Sequence, residues 1–518
     1  MGVEETVPHR YNQYTLIDIL QWRAVNTANV LAYSFFKDGL EETEKLSYGE
    51  LNQLACRAAQ FLLKRSVQRQ PVLLLYPAGL DFLVAFLGCM MARCLPVPIP
   101  MFNNTTLKRT LPRFVSIVRG SGASAVLTNL NDENNLVSTK LLSNSPISEL
   151  EWIDHNALIS SMSPARASEI STELDSIAFL QFTSGSTGEP RGIKITHKNL
   201  AHQFAALKRC GSYDPESAIV NWMPHFHDLG LIQGLLLPLY LGIPCLTMPP
   251  IAFLRHPDRW LKLIGRYRAT HSCGPNFAYD YCCHSLNSRD LEGLDLRCWR
   301  AAGISAEPIS PYTIHRFASL LQRTGFQLGT FCPAFGLAES TLCVSHNRPQ
   351  HTPVFCDVDA NALSGGEIRL APQGECNVRT LVGCGQVIGY GTHVVIANPD
   401  KLTRCYENIV GEIWVSSDSI AEGYWSAQPD QSEVFRAYLQ DTGEGPFLRT
   451  GDLGFLKDGE LFVTGRLKDI IIVAGQNHYP HDLERTAEAS HPSLRTQSCS
   501  AFSFMKDGQE QVVILVET

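Results

Sequence analysis

The residues best suited to chemistry fall in five short strings. The most specific is TSGSTGEPRGIK at 183–194. Its small hydroxyl residues and glycines let backbone N–H groups and hydroxyls converge on phosphate oxygens without steric obstruction. Arg191 and Lys194 add positive charge. Gly188 and Gly192 fail the GxxxxGK(S/T) spacing, so the loop is not of the Walker type. NWMPHFHDLG at 221–230 brings His225, His227 and Asp228 beside a turn. FGLAE at 335–339 offers the ring of Phe335 to a base and the carboxylate of Glu339 to Mg²⁺. RTGDLG at 449–454 supplies Asp452, suited to the two hydroxyls of a ribose, and GRLKD at 465–469 adds the cation Arg466 and a hinge. A lone aspartate in a turn is usually a turn former. The five strings together describe a nucleotide site.

The surrounding pattern shows what must position them. An apolar run at 72–76, a helical pattern at 80–91 and an extended run at 95–99 read as a βαβ unit. Similar alternation recurs at 125–128, 176–182 and near 218–223, so the architecture is α/β. The phosphate-type loop follows the strand at 177–182 and leads to Thr196, a good N-cap for a helix starting at His197. After about residue 350, short strands at 392–396, 412–415 and 460–463 alternate with Gly, Asp and Asn turns, which marks a β-rich subdomain. The expected organisation is a large N-terminal domain over 1–466, made of α/β subdomains plus the β-rich one. A small α+β C-terminal domain follows over 467–518, with a strand at 470–473, a helix near 482–490 and a final apolar run at 512–516. That last unit reads as truncated. GCGQVIG at 383–389 superficially resembles a dinucleotide fingerprint, but its spacing is off by one and a strand follows, so a β-turn is expected.

Composition excludes several classes. The chain has 518 residues, 44% hydrophobic and 18% charged, the profile of a large soluble globular protein. A net charge of -8 leaves no electrostatic footprint for nucleic acid or an anionic membrane. The 16 cysteines contain no CxxC pair, and only Cys282 and Cys283 are adjacent, which suits buried thiols in a reducing cytoplasm. Met1, Gly2 and Thr6 fit a loose myristoylation pattern, but Glu4 and Glu5 oppose a membrane role. No secretory signal is visible. The apolar stretch 229–254 is broken by prolines and glycines, so no transmembrane segment is expected.

In this order and context, the strings resemble those of the acyl-adenylate-forming enzymes, the superfamily of acyl-CoA synthetases, luciferases and peptide-synthetase adenylation domains. The resemblance covers nearly the whole chain. Within the superfamily the chain is similar to the fatty acyl-AMP ligases. SGSTG at 184–188 and HDLG at 227–230 match their versions of the shared motifs. GPNFAY at 274–279 resembles a segment placed along their acyl tunnel, and 354–384 sits where they carry an insertion that CoA ligases lack.

The resemblance implies roles. Thr183, Ser184, Gly185, Ser186, Thr187 and Gly188 would hold the β- and γ-phosphates of ATP, and Glu339 would hold Mg²⁺. Ser305, Ala306 and Glu307 would cup adenine, with Phe335 stacked on it and Gly336 and Leu337 beside it. Asp452 and Arg466 would engage the ribose, and Lys468 would be the hinge. His227 would lie beside the acyl carboxylate, making it, Lys194 and Glu339 the catalytic set. Gly274, Asn276, Phe277 and Tyr279 would line the tunnel. A carboxylate attacking an α-phosphate faces charge repulsion, so catalysis would rest on charge neutralisation and alignment, without a side-chain nucleophile. The implied substrate is a fatty acid and the implied acceptor an acyl carrier protein. An acyl-CoA ligase and a degenerate nucleotide- or acyl-binding module are the rivals.

Three departures stand out. Ala338 replaces a threonine common in the superfamily, as in fatty acyl-AMP ligases. Ser305 replaces a glycine, which would crowd the adenine turn if a positive φ were needed there. The superfamily's C-terminal catalytic lysine lies beyond the last residue; its loss would slow adenylation by about 10²–10³-fold.

Overall fold

The computed structural model describes residues 14–65, 67–101, 107–129, 150–160, 172–184, 189–372, 377–426, 431–473, 476–491, 493–494, 498–506 and 509–517. Its backbone is a fourteen-stranded mixed sheet. Six parallel strands form one half, in the order Leu31–Phe35, Cys245–Thr247, Ile219–Asn221, His271–Gly274, Ala301–Ile304 and Phe331–Gly336. Glu44–Ser47 closes that edge antiparallel. At Phe331–Gly336 the sheet changes character. It continues antiparallel through Cys343–His346, Val378–Val387, Glu460–Arg466, Leu448–Lys457, Gly411–Ser416 and His393–Ala397. This second half is the expected β-rich subdomain. The GCGQVIG string lies within and just after the strand Val378–Val387, and a strand follows.

A second, four-stranded parallel sheet contains the expected βαβ unit: Pro71–Leu75, the helix Leu80–Met91 and Leu95–Pro98. Every residue of that helix except Asp81 is buried, which is why its sequence is apolar on all sides. Gly88 lets it approach a neighbouring helix, since a Cβ there would lie 2.5 Å from Ala58 Cβ.

One expectation is corrected. The strand at 177–182 belongs to no parallel unit; Ile177–Ser184 pairs antiparallel with Pro190–Thr196 in a hairpin. Pro190 and the glycines at 188 and 192 hid the return strand. Thr196 then caps the helix His197–Cys210 through a reciprocal bond with Asn199, as its side chain and position require.

Beyond the sheet, Ile471–Val473 pairs with Gln476–His478, the helix Pro480–Ala489 follows, and Cys499–Lys506 pairs with Gln509–Val516. The described cysteines are all free thiols. Among the described residues, no helix is long and apolar enough to cross a membrane.

Candidate active site

Parallel strands deliver their C-terminal ends to one rim. Three loops leave it: 222–228 after Ile219–Asn221, 305–310 after Ala301–Ile304, and 337–342 after Phe331–Gly336. Asn221 ties down the first. Its side chain accepts from the Met223 N–H (3.1 Å) and donates to the Gly230 carbonyl (3.1 Å). The loop ends at an eight-residue π-helix, Leu229–Leu236, a rare form that concentrates at functional sites.

His227 is partly exposed, and its Nδ1 lies 2.7 Å from Asp228 Oδ1. Burial acts against the charged imidazolium, but the hydrogen bond and charge of Asp228 outweigh it and raise the pKa above the ordinary value. His227 is thereby biased to carry a proton toward a carboxylate. His225 is a structural residue: it is buried, its ring lies 4.1 Å from that of Phe82, and burial lowers its pKa to about 4.

Asp228, Glu339 and Asp452 come from three separate strings, and Glu339 feels the charge of Asp228 while Asp452 feels that of Glu339. Burial raises the pKa of Glu339, and the charge of Asp228 adds to the rise, while the Tyr424 hydroxyl (3.3 Å) and Arg466 oppose it. Burial likewise pushes Asp452 up to about 6, against the pull of Arg466 and with the repulsion of Glu339 and Asp469. Asp452 and Arg466 face each other across paired strands, Nε to Oδ1 3.1 Å. Carboxylates that repel one another in a half-buried space favour a cation among them. Among the described residues no three acidic, histidine or cysteine groups form a metal shell.

The phosphate-type loop is held at its base. Thr183 stands opposite Arg191 in the hairpin; Gly185, Ser186, Thr187 and Gly188, and the side chain of Ser184, lie outside the described residues. Lys194 lies opposite Leu180, three residues back from Thr183, and pairs with Glu422 at 3.3 Å. Its charge clamps the hairpin to 421–425. Backbone bonds complete that clamp: Lys194 N–H to the Gly423 carbonyl (2.9 Å) and Trp425 N–H to the Gly192 carbonyl (2.7 Å).

The adenine turn corrects a second expectation. The left-handed residue is Ala306 (φ 71°), and Ser305 is not among the positive-φ residues, so serine needs no glycine freedom there. Glu307 accepts from the Phe277 N–H, and burial raises its pKa. Phe335 is 9% exposed and packs with Val344, Ile413 and Leu461, with Leu337 against the same cluster. Gly336 is sterically required, since a Cβ there would lie 1.7 Å from the Leu342 carbonyl oxygen.

Two of the four residues expected along the tunnel are buried and hydrogen-bonded. Tyr279 is fully buried among Trp260, Phe317 and Phe331 and donates to the Gly303 carbonyl at 2.7 Å. Asn276 accepts from Ser310 N–H (3.0 Å) and so orients the start of the helix Pro311–Leu321. Phe277 is partly exposed, with its edge to Trp222, and Gly274 leaves room for that indole, 3.1 Å from where a Cβ would lie. Lys468 sits in the turn after Glu460–Arg466, where Leu467 N–H donates to the Gly451 carbonyl (2.8 Å).

Sequence reasoning missed Glu412, Glu422 and Tyr424. Glu412 is 2% exposed and takes bonds from Arg449, the Trp414 indole and Gly451 N–H, so it shapes the turn that presents Asp452. A buried acid in the apolar string GEIWV was the available signal.

Residues 355–364 form the strand Phe355–Asp359 and the helix Ala360–Ser364, ahead of Val378–Val387. Val358, Leu363 and Leu381 pack with Phe455, Phe462 and Tyr479. Arg379 lies over the Tyr479 ring (4.6 Å), pairs with Asp482 (2.9 Å) and bonds His481.

Polar groups from these loops thus gather at the ends of the parallel strands. Residues 20–425 match the family model described as AMP-binding enzyme. A medium-chain fatty acid–[acyl-carrier-protein] ligase of Moorena producens, JamA, is 42% identical over 97% of this chain and 85% of its own length. The corresponding ligase TtuA of Teredinibacter turnerae is 33% identical over 94% and 82%. A fatty acyl-adenylate ligase from L. pneumophila, solved with acyl adenylate and pyrophosphate, superposes with a TM-score of 0.82 at 34% identity, covering 99% of this chain and 88% of that one. The chain belongs to the AMP-binding enzyme family, in its fatty acyl-AMP ligase branch.

Proposed function

We propose that the protein activates a fatty acid with ATP, releasing pyrophosphate, and passes the acyl group from the adenylate to the phosphopantetheine of an acyl carrier protein in the cytoplasm. The observation that carries this reading is a pair of contacts, Asp452 with Arg466 (3.1 Å) and Glu339 with Tyr424 (3.3 Å), the second joined to the base of the phosphate-type loop by Arg191 over the Tyr424 ring (5.1 Å). Mg²⁺ held by Glu339 would neutralise phosphate charge. Asp452 accepts from the ribose hydroxyls, with Arg466 keeping its carboxylate ionised. His227, held by Asp228, donates to the acid's carboxylate and aligns it with the α-phosphorus. One carboxylate oxygen forms the new bond to that phosphorus as the bond to the bridging oxygen of pyrophosphate breaks. The named relatives act on medium-chain acids and carrier protein, which supports the same substrates here.

The contact of Arg379 with Tyr479, His481 and Asp482 favours carrier protein over CoA. It ties the insertion to the residues beyond the hinge at Lys468 and so resists the rotation a CoA ligase needs. The test is a product assay on the natural full-length polypeptide, with labelled ATP and a ladder of fatty acids, with CoA and with carrier protein. Acyl-AMP that ignores CoA and loads the carrier is the expected result. Acyl-CoA would move the protein to the rival group. No product, with ATP still bound, would leave a binding module.

A further inference from the structure

A cavity of about 320 Å³ lies at the base of the hairpin that carries the phosphate-type loop, beside the start of Ile177–Ser184 and the start of the helix His197–Cys210. Ile177, in its wall, is six residues from Thr183, roughly 20 Å along an extended strand. The cavity is therefore separate from the reaction rim.

Its walls divide by chemistry. Met90, Leu95, Ile177 and Trp425 supply apolar surface. Met90 and Leu95 are buried, and the Trp425 indole is fixed by its N–H bond to the Ser121 carbonyl (2.9 Å). Arg69, Arg93 and Glu173 also line the cavity but are exposed, so they form its mouth. Two arginines against one glutamate leave that mouth positive. The arginines are held as a pair: Arg69 N–H donates to the Arg93 carbonyl (2.7 Å), and both residues are left-handed, at φ 59° and 57°. Two guanidinium groups thus stand at backbone positions that glycine suits better.

The interior holds one polar ring. His197 lines the cavity and is 2% exposed, and its Nδ1 has no hydrogen-bond partner. A buried polar atom left unpaired is uncommon and costly. Burial lowers the pKa of His197 to about 4, so at neutral pH the ring is uncharged and suits a hydroxyl or an N–H. An apolar cavity of about 150 Å³ takes benzene, so this one has room for two fused rings.

We propose that this cavity is a second ligand site for a small organic acid, which sets its carboxylate at Arg69 and Arg93, its apolar body against Met90, Leu95 and Trp425, and a hydroxyl or N–H at its far end on His197. Guanidinium groups are well suited to a carboxylate, and the far group supplies the partner that the imidazole lacks. The inference stands apart from the adenylation reading, since it uses none of the residues of the rim.

The test is calorimetric titration of the full-length protein, without ATP, with 6-hydroxy-2-naphthoate. Two further probes each lack one feature: 2-naphthoate has no hydroxyl and 2-naphthol has no carboxylate. The hydroxy acid should bind one site with a Kd of about 1 mM or tighter, and each of the other two about tenfold more weakly. Changing both arginines, Arg69→Gln with Arg93→Gln, should weaken the hydroxy acid by about tenfold or more. His197→Phe should erase the advantage of the hydroxy acid over 2-naphthoate. No binding of the hydroxy acid overturns the inference. So does binding that the arginine variant leaves unchanged, which would place the acid at the reaction rim, and so does a hydroxyl advantage that survives in His197→Phe. Both arginines are exposed, so their variant decides the matter even where His197→Phe fails to fold.

Discussion

The two faces of the parallel sheet are built to opposite ends. One is closed by aromatic side chains: Trp260, Tyr279, Trp299, Phe317, Phe326 and Phe331 meet edge to face at centroid distances of 5.0–6.3 Å. The other carries a π-helix, a glycine in mid-strand and a cavity. The same strands serve both, so rigidity on one side allows irregularity on the other. The difference teaches where stability and activity part company: changes to the aromatic face should unfold the protein, and changes to the rim and the π-helix face should disable it while it stays folded.

The largest expected effects probe that division directly. Trp260→Ala, which removes a fully buried ring, should cost about 3–5 kcal/mol in urea unfolding with near-normal turnover per folded molecule. Glu339→Gln should do the reverse. Adenylation should fall by about 10²–10³-fold, measured by pyrophosphate release, with stability unchanged or slightly higher because a carboxylate with a raised pKa has been neutralised. If both variants lose both properties, the two faces are not separable.

Asp452→Asn sharpens the comparison at the rim. The folded-state pKa of about 6 lies above the ordinary 3.8, so the stability linked to its protonated form is present at low pH and lost as pH rises through 6. The asparagine should stabilise the protein at neutral pH by about 1–3 kcal/mol while weakening ATP binding, which calorimetry would show. Wild-type ATP affinity should for the same reason fall as pH drops through about 6. The core responds to acid with the opposite sign. His197, His225, His271 and His346 are buried with pKa values lowered to about 4. Stability is therefore full above pH 6.5 and drains as pH falls toward 4, and the melting temperature should drop by about 10 °C or more over that span. The smallest effect belongs to Arg379→Ala: about 1 kcal/mol of stability, with trace acyl-CoA formation as the informative readout.

Much of this was legible in the sequence because the chemistry-bearing strings are local. The loop base at Thr183, the strand pair carrying Asp452 and Arg466, and the Thr196 cap each depend on residues within about fifteen positions of one another. Failures came where function depends on residues far apart. Glu422 reaches Lys194 across 228 positions, and Tyr424 reaches Glu339 across 85; no local pattern marks either. The packing of Tyr279 was not legible either: an aromatic at helical spacing looks alike in a core and along a tunnel, and its bond to the Gly303 carbonyl spans 24 positions. Ser305 raised a false concern because the turn's left-handed residue is Ala306, and one residue of register is below what a motif resolves.

The buried thiols have a practical consequence. Burial pushes Cys94, Cys210, Cys273, Cys283 and Cys384 up to about 12, so almost none of each is thiolate in the folded enzyme and alkylating reagents find little to attack. Once a region opens, its cysteines recover ordinary acidity and react. The chain is thus labelled from within for timing its own unfolding. Mass spectrometry after brief alkylation would read which comes apart first, the parallel half through Cys273 and Cys283 or the β-rich half through Cys384, without adding a probe.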